Sequence, residues 1–422
     1  SVKFPPFPFT VLDTETTGFV PRVHRVIEFA SVRVANGEIA DTYTQLFAAD
    51  EIPPVVQALT HIHLQDLAGM PTFADRREEI LAHIGEDTVI VGQNIAFDFQ
   101  MLKGEGLDLT DRPWIDTAMC ASLVFPELES YSLGYLSRAL RLRHDPPHRA
   151  LGDVTATLDL LAACWKRLLE LSRELLDVSR AITERGPEGW KRIFSSLPSA
   201  TKKRPPEWLR SKKCTVFPVG SLSFDLPESE TGTVHLLEEP LDPGFLRRIV
   251  TSTTQKKKAV HWIAVKNLEA TVRRECLSSG KTLRILHPPF LLPDHDAVVR
   301  FARQSQFTTD EVTLALKLAW YEPTTRGDLP IHGNEDTVWS GKIACTETSP
   351  NYTAQFEDLP SVVALDHRQL LSFLADPEHA AFGALREHTH IVIDDASMLE
   401  DTATKAYGWR CPLDDLRAAA EG

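Results

Sequence analysis

At 422 residues, with 43% hydrophobic and 25% charged content, the chain has the make-up of a globular protein too long for one hydrophobic core, so two or more domains are expected. No apolar run approaches the ~20 residues that span a bilayer, which excludes a membrane-spanning helix; the N-terminus SVKFPPFPF lacks both a signal-peptide layout and an initiator Met, as a processed or recombinant end would. A net charge of −14 counts against a protein that coats nucleic acid by long-range attraction, but does not exclude an enzyme whose carboxylates carry bound cations.

FTVLD (9–13) and RVIEFASVRV (25–34) read as strands, and EIADTYTQLF (38–47) completes an antiparallel meander through the Asn36-Gly37 turn. Asp13 and Glu15 lie two apart on the first strand, so their side chains leave the same face. The TTG that follows ends the strand abruptly and should expose both carboxylates at a sheet edge. TVIVG (88–92) is a short buried strand, and a helix should follow from about Ala96 with Asp98 in its first turn. Helical apolar spacing recurs over 132–140 and 149–172, the latter through Leu151, Val154, Leu158, Leu161 and Leu168. Asp153 falls one turn into that last helix on its inward side, where an unpaired carboxylate is costly and a cation would resolve the cost. His148, beside Pro146 and Pro147, belongs to the loop before it. Strands first, then strands alternating with helices, give a mixed sheet covered by helices.

After about residue 172 the composition shifts. Residues 185–231 hold GPEGW, SSLPSATKKRPPEWLRSKK and DLPESETG, dense in Pro, Ser and charge, which reads as a connecting region. The basic runs at Lys202, Lys203 and Arg204, at Arg210, Lys212 and Lys213, and at Lys256 to Lys258 read as solvated linker, with a strand-guiding surface as the alternative. A second α/β segment begins near Thr233. In it AVHWIAV (259–265), TLRIL (282–286), SVVAL (361–365) and HIVID (390–394) look like buried parallel strands, and the segment looks unfinished at residue 422. The six cysteines are widely spaced without a CxxC pair, which argues against a zinc knuckle and a disulfide framework and for scattered reduced thiols in a cytoplasmic protein.

VLDTETTGF (11–19), GQNIAFDFQML (92–102) and HRALGDVTATLDLL (148–161) resemble, in order, the three motifs of the DEDDh exonucleases of the DnaQ-like family. LTHIHLQDL (59–67) also resembles the segment that precedes the family's second motif, and the likeness covers about residues 8–170. It implies an exonuclease domain over 1–172 with a ribonuclease-H-like fold, a mixed five-stranded sheet with flanking helices. Carried over residue by residue, Asp13, Glu15, Asp98 and Asp153 would hold two Mg²⁺ or Mn²⁺ ions, since hard oxygen ligands without thiolates suit those metals rather than zinc. One ion would acidify the attacking water and the other would stabilise the leaving 3′ oxygen, with His148 taking the proton. Thr16, Asn94 and Phe97 are candidates to touch the terminal nucleotides. The implied activity is 3′→5′ removal of nucleoside monophosphates from single-stranded nucleic acid, DNA ahead of RNA, with no membrane partner.

Residues 233–403 resemble, more faintly, the first motor domain of DinG-like helicases of the XPD branch of superfamily 2, a RecA-like α/β domain. The matching phrases are TRGDLP (325–330) with Trp339, VVALDHRQLLSFL (362–374) and HIVIDDASMLEDTA (390–403). This sets a helical, Pro/Ser/charge-rich connection at 173–232 and a motor domain at 233–422. A phosphate loop needs glycines and a Lys-Ser/Thr pair after a strand, but LLEEPLDPGFL (236–246) has no lysine. SSGKT (278–282) lacks the first glycine and precedes a strand. In the Walker B region Asp394 is kept, while Asp395 and Ser397 stand where the family has Glu and His. Only Cys276 and Cys345 fall near the family's four cluster cysteines. The expectation is a degenerate motor domain with neither ATP nor an iron–sulfur cluster, kept for binding strands or a protein partner. An ATP-driven helicase–nuclease and a non-catalytic nucleic-acid-binding scaffold are the alternatives.

Overall fold

The computed structural model describes residues 4–200, 202–210, 261–387 and 390–407, with a few single positions between 234 and 247. The chain divides into two compact units, residues 1–212 with 299–342, and residues 213–298 with 343–422.

In the first unit five strands form one sheet: β1 Phe9–Thr16, β2 Val26–Ala35, β3 Glu38–Leu46, β4 Val89–Gly92 and β5 Trp114–Asp116, in the order β3-β2-β1-β4-β5. β2 is antiparallel to β1 and β3, whereas β4 is parallel to β1 and β5. This is the ribonuclease-H-like mixed sheet that the sequence implied. The meander closes as expected, because Asn36 (φ 53°) and Gly37 (φ 77°) both take the left-handed conformation that a two-residue type I′ hairpin demands. β5 escaped prediction because three residues are too few to show a period.

The flanking helices are α1 Pro54–Thr60, α2 Phe73–Ile84, α3 Ile95–Gly104, α4 Thr117–Val124, α5 Leu133–Leu140 and α6 Ala150–Leu168. One face of the sheet packs Leu12, Phe29 and Ile90 against Phe73, Ile80, Phe99 and Leu102 from α2 and α3. Thr72 and Asp75 cap α2 reciprocally, and Asp116 caps α4 from the end of β5. α6 has no side-chain cap of its own. Its first amide, on Ala150, instead donates to Glu28 Oε2 at 3.0 Å, so a strand carboxylate supplies the cap.

The first part of the expected helical connection belongs to the first unit, which runs to residue 212. Residues 173–196 form two more helices, α7 Arg173–Thr183 and α8 Glu188–Ser196, and Trp190, Ile193 and Phe194 of α8 are buried. GPEGW therefore opens a helix, with Glu188 in its first turn, rather than a linker. Residues 299–342 also join this unit and not the second. Trp320, on the helix Thr309–Tyr321, donates its indole N–H to Ser179 Oγ of α7 at 2.8 Å, and the Tyr321 hydroxyl donates to the Leu123 carbonyl of α4 at 2.7 Å. Lys212, Lys213 and Lys256 to Lys258 lie outside the described residues.

The second unit carries β6 His261–Val265, β7 Leu283–Ile285, β8 Val362–Asp366 and β9 His390–Ile393, all parallel, in the order β7-β8-β6-β9. Both faces of β6 and β8 are covered: Ile263 and Ala364 face one core cluster, Trp262 and Leu365 the other. These are the four strands read from the sequence, although β9 is less buried than expected, with Ile391 43% exposed. SSGKT precedes β7, as read, while most of 236–246 lies outside the described residues. Cys276 is disulfide-bonded, which corrects the expectation of reduced thiols throughout, while Cys120, Cys164 and Cys345 are free. No described helix is long and apolar enough to cross a membrane.

Candidate active site

β1 is the central strand, so Asp13 and Glu15 stand at its C-terminal end and not at a lateral sheet edge. Asp13 pairs with Ala30 in register, and Glu15 lies directly opposite Glu28 on β2. Two like charges facing each other across strands are unfavourable. Arg149, immediately before α6, compensates by donating Nη2 and Nε to Glu28 at 2.7 and 3.0 Å. The same contact draws the start of α6 over β1 and β2, and Asp153, in the first turn, arrives beside the strand. One oxygen each from Asp13, Glu15 and Asp153 comes within 4.8 Å of the others.

Asp98 is buried and presses on the charge of Asp13, but it is not one of the three whose oxygens meet. Its Oδ1 accepts the Thr14 amide at 2.9 Å and the Thr14 hydroxyl at 2.7 Å, so it is tied to β1 between Asp13 and Glu15. The four predicted carboxylates therefore converge as three plus one.

Their electrostatics show how short of positive charge the cluster is. Burial, then repulsion from Asp98, Asp153, Glu15 and Glu28, pushes Asp13 well above the usual carboxylate range. Burial followed by Asp153, Glu28 and Asp98 raises Glu15 to about 8, with Arg149 opposing. Burial raises Asp98 to about 7 against the two Thr14 hydrogen bonds. Folded values above the ordinary 4.5 of Glu15 and 3.8 of Asp98 mean that the fold favours the protonated forms. Their contribution to stability is complete below about pH 4 and is lost as pH rises through 7 to 8. In EDTA the melting temperature should thus fall by several degrees between pH 5 and pH 9, and fall less in Glu15→Gln. Scanning calorimetry on the two chains checks this, and equal slopes would contradict it.

The predicted histidine is not the one that meets the cluster. His148, at φ 58°, holds its side chain out in solvent and donates only its backbone N–H to Asp153 Oδ1, at 3.2 Å. His144 lies four residues earlier in the same HDPPH segment, and its Nε2 is 2.6 Å from the same oxygen. Sequence reasoning missed it because the motif match stops at His148. Glu28 was missed as well, although an acid inside the apolar run VIEFA was a visible signal.

Among the predicted substrate contacts, Thr16 is buried and spends its hydroxyl on the Gly18 carbonyl at 2.8 Å. Asn94 is exposed in the left-handed conformation at the start of α3. Phe97 is half-buried, with its ring 6.0 Å from that of Phe19, a side chain 84% exposed that the sequence did not single out.

The RNase_T exonuclease family model matches residues 10–161, so an exonuclease domain occupies the N-terminal region. The 3′-5′ exonuclease DinG of Bacillus subtilis is 32% identical over 182 residues, which are 42% of this chain and 19% of that protein. A DNA polymerase III PolC-type from Thermotoga maritima is 35% identical over 174 residues, 40% of this chain and 12% of that protein. The chain thus spans a fifth or less of the length of these curated relatives. Among solved structures, Exonuclease X in complex with 5′ overhanging duplex DNA is 28% identical, covering 37% of this chain and 91% of that one, with a TM-score of 0.32. E. coli exonuclease I in complex with a dT13 oligonucleotide is 21% identical, covering 42% and 44% of the two chains, with a TM-score of 0.36.

Proposed function

We propose that this chain is a divalent-metal-dependent 3′→5′ exonuclease that removes nucleotides from single-stranded DNA. The observation that carries the reading is the convergence of the Asp13, Glu15 and Asp153 oxygens within 4.8 Å, inside the span that matches the exonuclease model. The donor set fits Mg²⁺ or Mn²⁺: the oxygens are hard, no thiol is among them, and mutual repulsion leaves them in need of positive charge. Asp13, Glu15 and Asp153, with Asp98 alongside, would hold two such ions. When bound, the ions supply an acidified water and stabilise the leaving oxygen. His148, free in solvent on the rim, is the group to take the water's proton. Phe19 and Phe97 offer an aromatic surface on which terminal bases stack, and such stacking tolerates any sequence. The likeness to a DNA polymerase III PolC-type favours DNA over RNA.

The second unit is read as a motor-like domain without nucleotide hydrolysis, kept to bind the strand or a partner. Its Asp395 accepts the Ser397 hydroxyl at 2.7 Å and sits 3.6 Å from Lys266, so it is engaged locally rather than poised over a phosphate.

The full chain, incubated with a 5′-labelled single-stranded oligonucleotide and Mn²⁺, should shorten it stepwise, with EDTA stopping the reaction and Mg-ATP leaving the rate unchanged. Intact substrate after long incubation would reject the nuclease. Acceleration by ATP would reinstate the helicase–nuclease reading.

A further inference from the structure

We infer that His144 is a positioning residue that fixes the Asp153 carboxylate for metal binding, while His148 is left to the reaction itself. The inference rests on the metal-dependent reading of the site.

The loop that carries His144 is pinned on both sides of it. One residue earlier, Arg143 donates its backbone N–H to Asp159 Oδ2 at 3.1 Å, and its Nε and Nη2 to the two carboxylate oxygens at 2.9 and 2.7 Å. Asp159 lies on α6, so the chain is fastened to that helix just before His144. After His144 the loop presses onto the first turn of α6 at Gly152, where a Cβ would lie 2.0 Å from the Pro146 carbonyl oxygen. Only a residue without a side chain lets the loop come so close. Between these two anchors the imidazole has little freedom, and its side chain is only 10% exposed.

Its position has a chemical consequence. A carboxylate only accepts hydrogen bonds, so Nε2 of His144 is the donor in the 2.6 Å contact with Asp153 Oδ1. The His148 amide supplies a second donor to the same oxygen. With Oδ1 held from the loop side, the carboxylate still presents an oxygen within 4.8 Å of those of Asp13 and Glu15. Outer partners that orient a ligand in this way typically set metal affinity by about 10- to 100-fold. The two histidines thereby divide the work: His144 is enclosed and hydrogen-bonded to a ligand residue, while His148 is exposed and faces water.

The test is Mn²⁺ titration of the full-length protein without substrate, followed calorimetrically, for wild type, His144→Ala, His144→Gln, His148→Ala and Asp153→Asn, with a thermal melt of each to show that it is folded. His144→Ala is expected to raise the Mn²⁺ dissociation constant about tenfold or more. His144→Gln, which restores an N–H donor, should recover most of that loss. His148→Ala should bind Mn²⁺ within about twofold of wild type yet lower kcat. In turnover, the His144→Ala defect should shrink as Mn²⁺ is raised, and the His148→Ala defect should not. Wild-type affinity in folded His144→Ala overturns the positioning role and leaves the metal site standing. Absence of Mn²⁺ binding by the wild type overturns the metal site, and the positioning role falls with it.

Discussion

Asp13→Asn should lower kcat on a single-stranded oligonucleotide by at least about 10³-fold, or ~4 kcal/mol of transition-state stabilisation, and should do so without destabilising the metal-free protein. Asp13 is the hub of the cluster, since Asp98, Asp153, Glu15 and Glu28 all press on its charge. Replacing its carboxyl with an amide keeps the shape and removes a group that the metal-free fold resists ionising. Its melting temperature in EDTA should therefore match or exceed that of the wild type, while Mn²⁺ affinity collapses. A structural aspartate would behave the opposite way, losing stability together with activity. A folded Asp13→Asn chain that retains more than about a tenth of the wild-type kcat would contradict the assignment.

Lys317→Met should destabilise the first unit by about 3–5 kcal/mol, the usual cost of leaving a buried charge without its partner. Lys317 and Glu335 both have 0% side-chain exposure. The ammonium reaches Glu335 Oε1 and Oε2 at 2.9 and 2.7 Å, the Pro330 carbonyl at 2.7 Å and Ser122 Oγ at 2.8 Å. Ser122 lies on α4, so this one side chain fastens residues 299–342 to the helix that follows β5. Replacing both charged residues, as in Lys317→Met with Glu335→Leu, should recover most of the loss, because a packed apolar pair avoids the desolvation that the ion pair had to overcome. Chemical denaturation of the single and double variants measures both effects. A loss below about 1 kcal/mol in the single variant would mean that the segment is held by its other contacts, the Trp320 and Tyr321 hydrogen bonds among them.

How much of this was legible in the sequence depended on how local the signal was. β1, β2, β3 and β4 announced themselves by composition and by the Asn36-Gly37 turn, and the four strands of the second unit by their apolar runs. Asp13 and Glu15 were visible as a pair because strand alternation is a local rule. What escaped was decided by contacts between distant segments. Nothing in residues 299–342 says that Lys317 will find Ser122, 195 residues earlier in the chain. The rotation of Asp98 onto the Thr14 amide depends on how α3 meets β1, which no period encodes. The choice between His144 and His148 turned on Gly152 and the Arg143–Asp159 clasp, a loop geometry fixed by packing on α6. GPEGW misled because its Pro and Gly suggest a linker, whereas the apolar stripe of Trp190, Ile193 and Phe194 that follows makes it a helix start.

The most direct test is anomalous diffraction from a crystal of the full chain soaked in Mn²⁺. The account predicts anomalous density within coordinating distance of oxygens from Asp13, Glu15 and Asp153, with Asp98 adjacent and the His144 contact to Asp153 retained. Ordered manganese elsewhere with none between these carboxylates would contradict it.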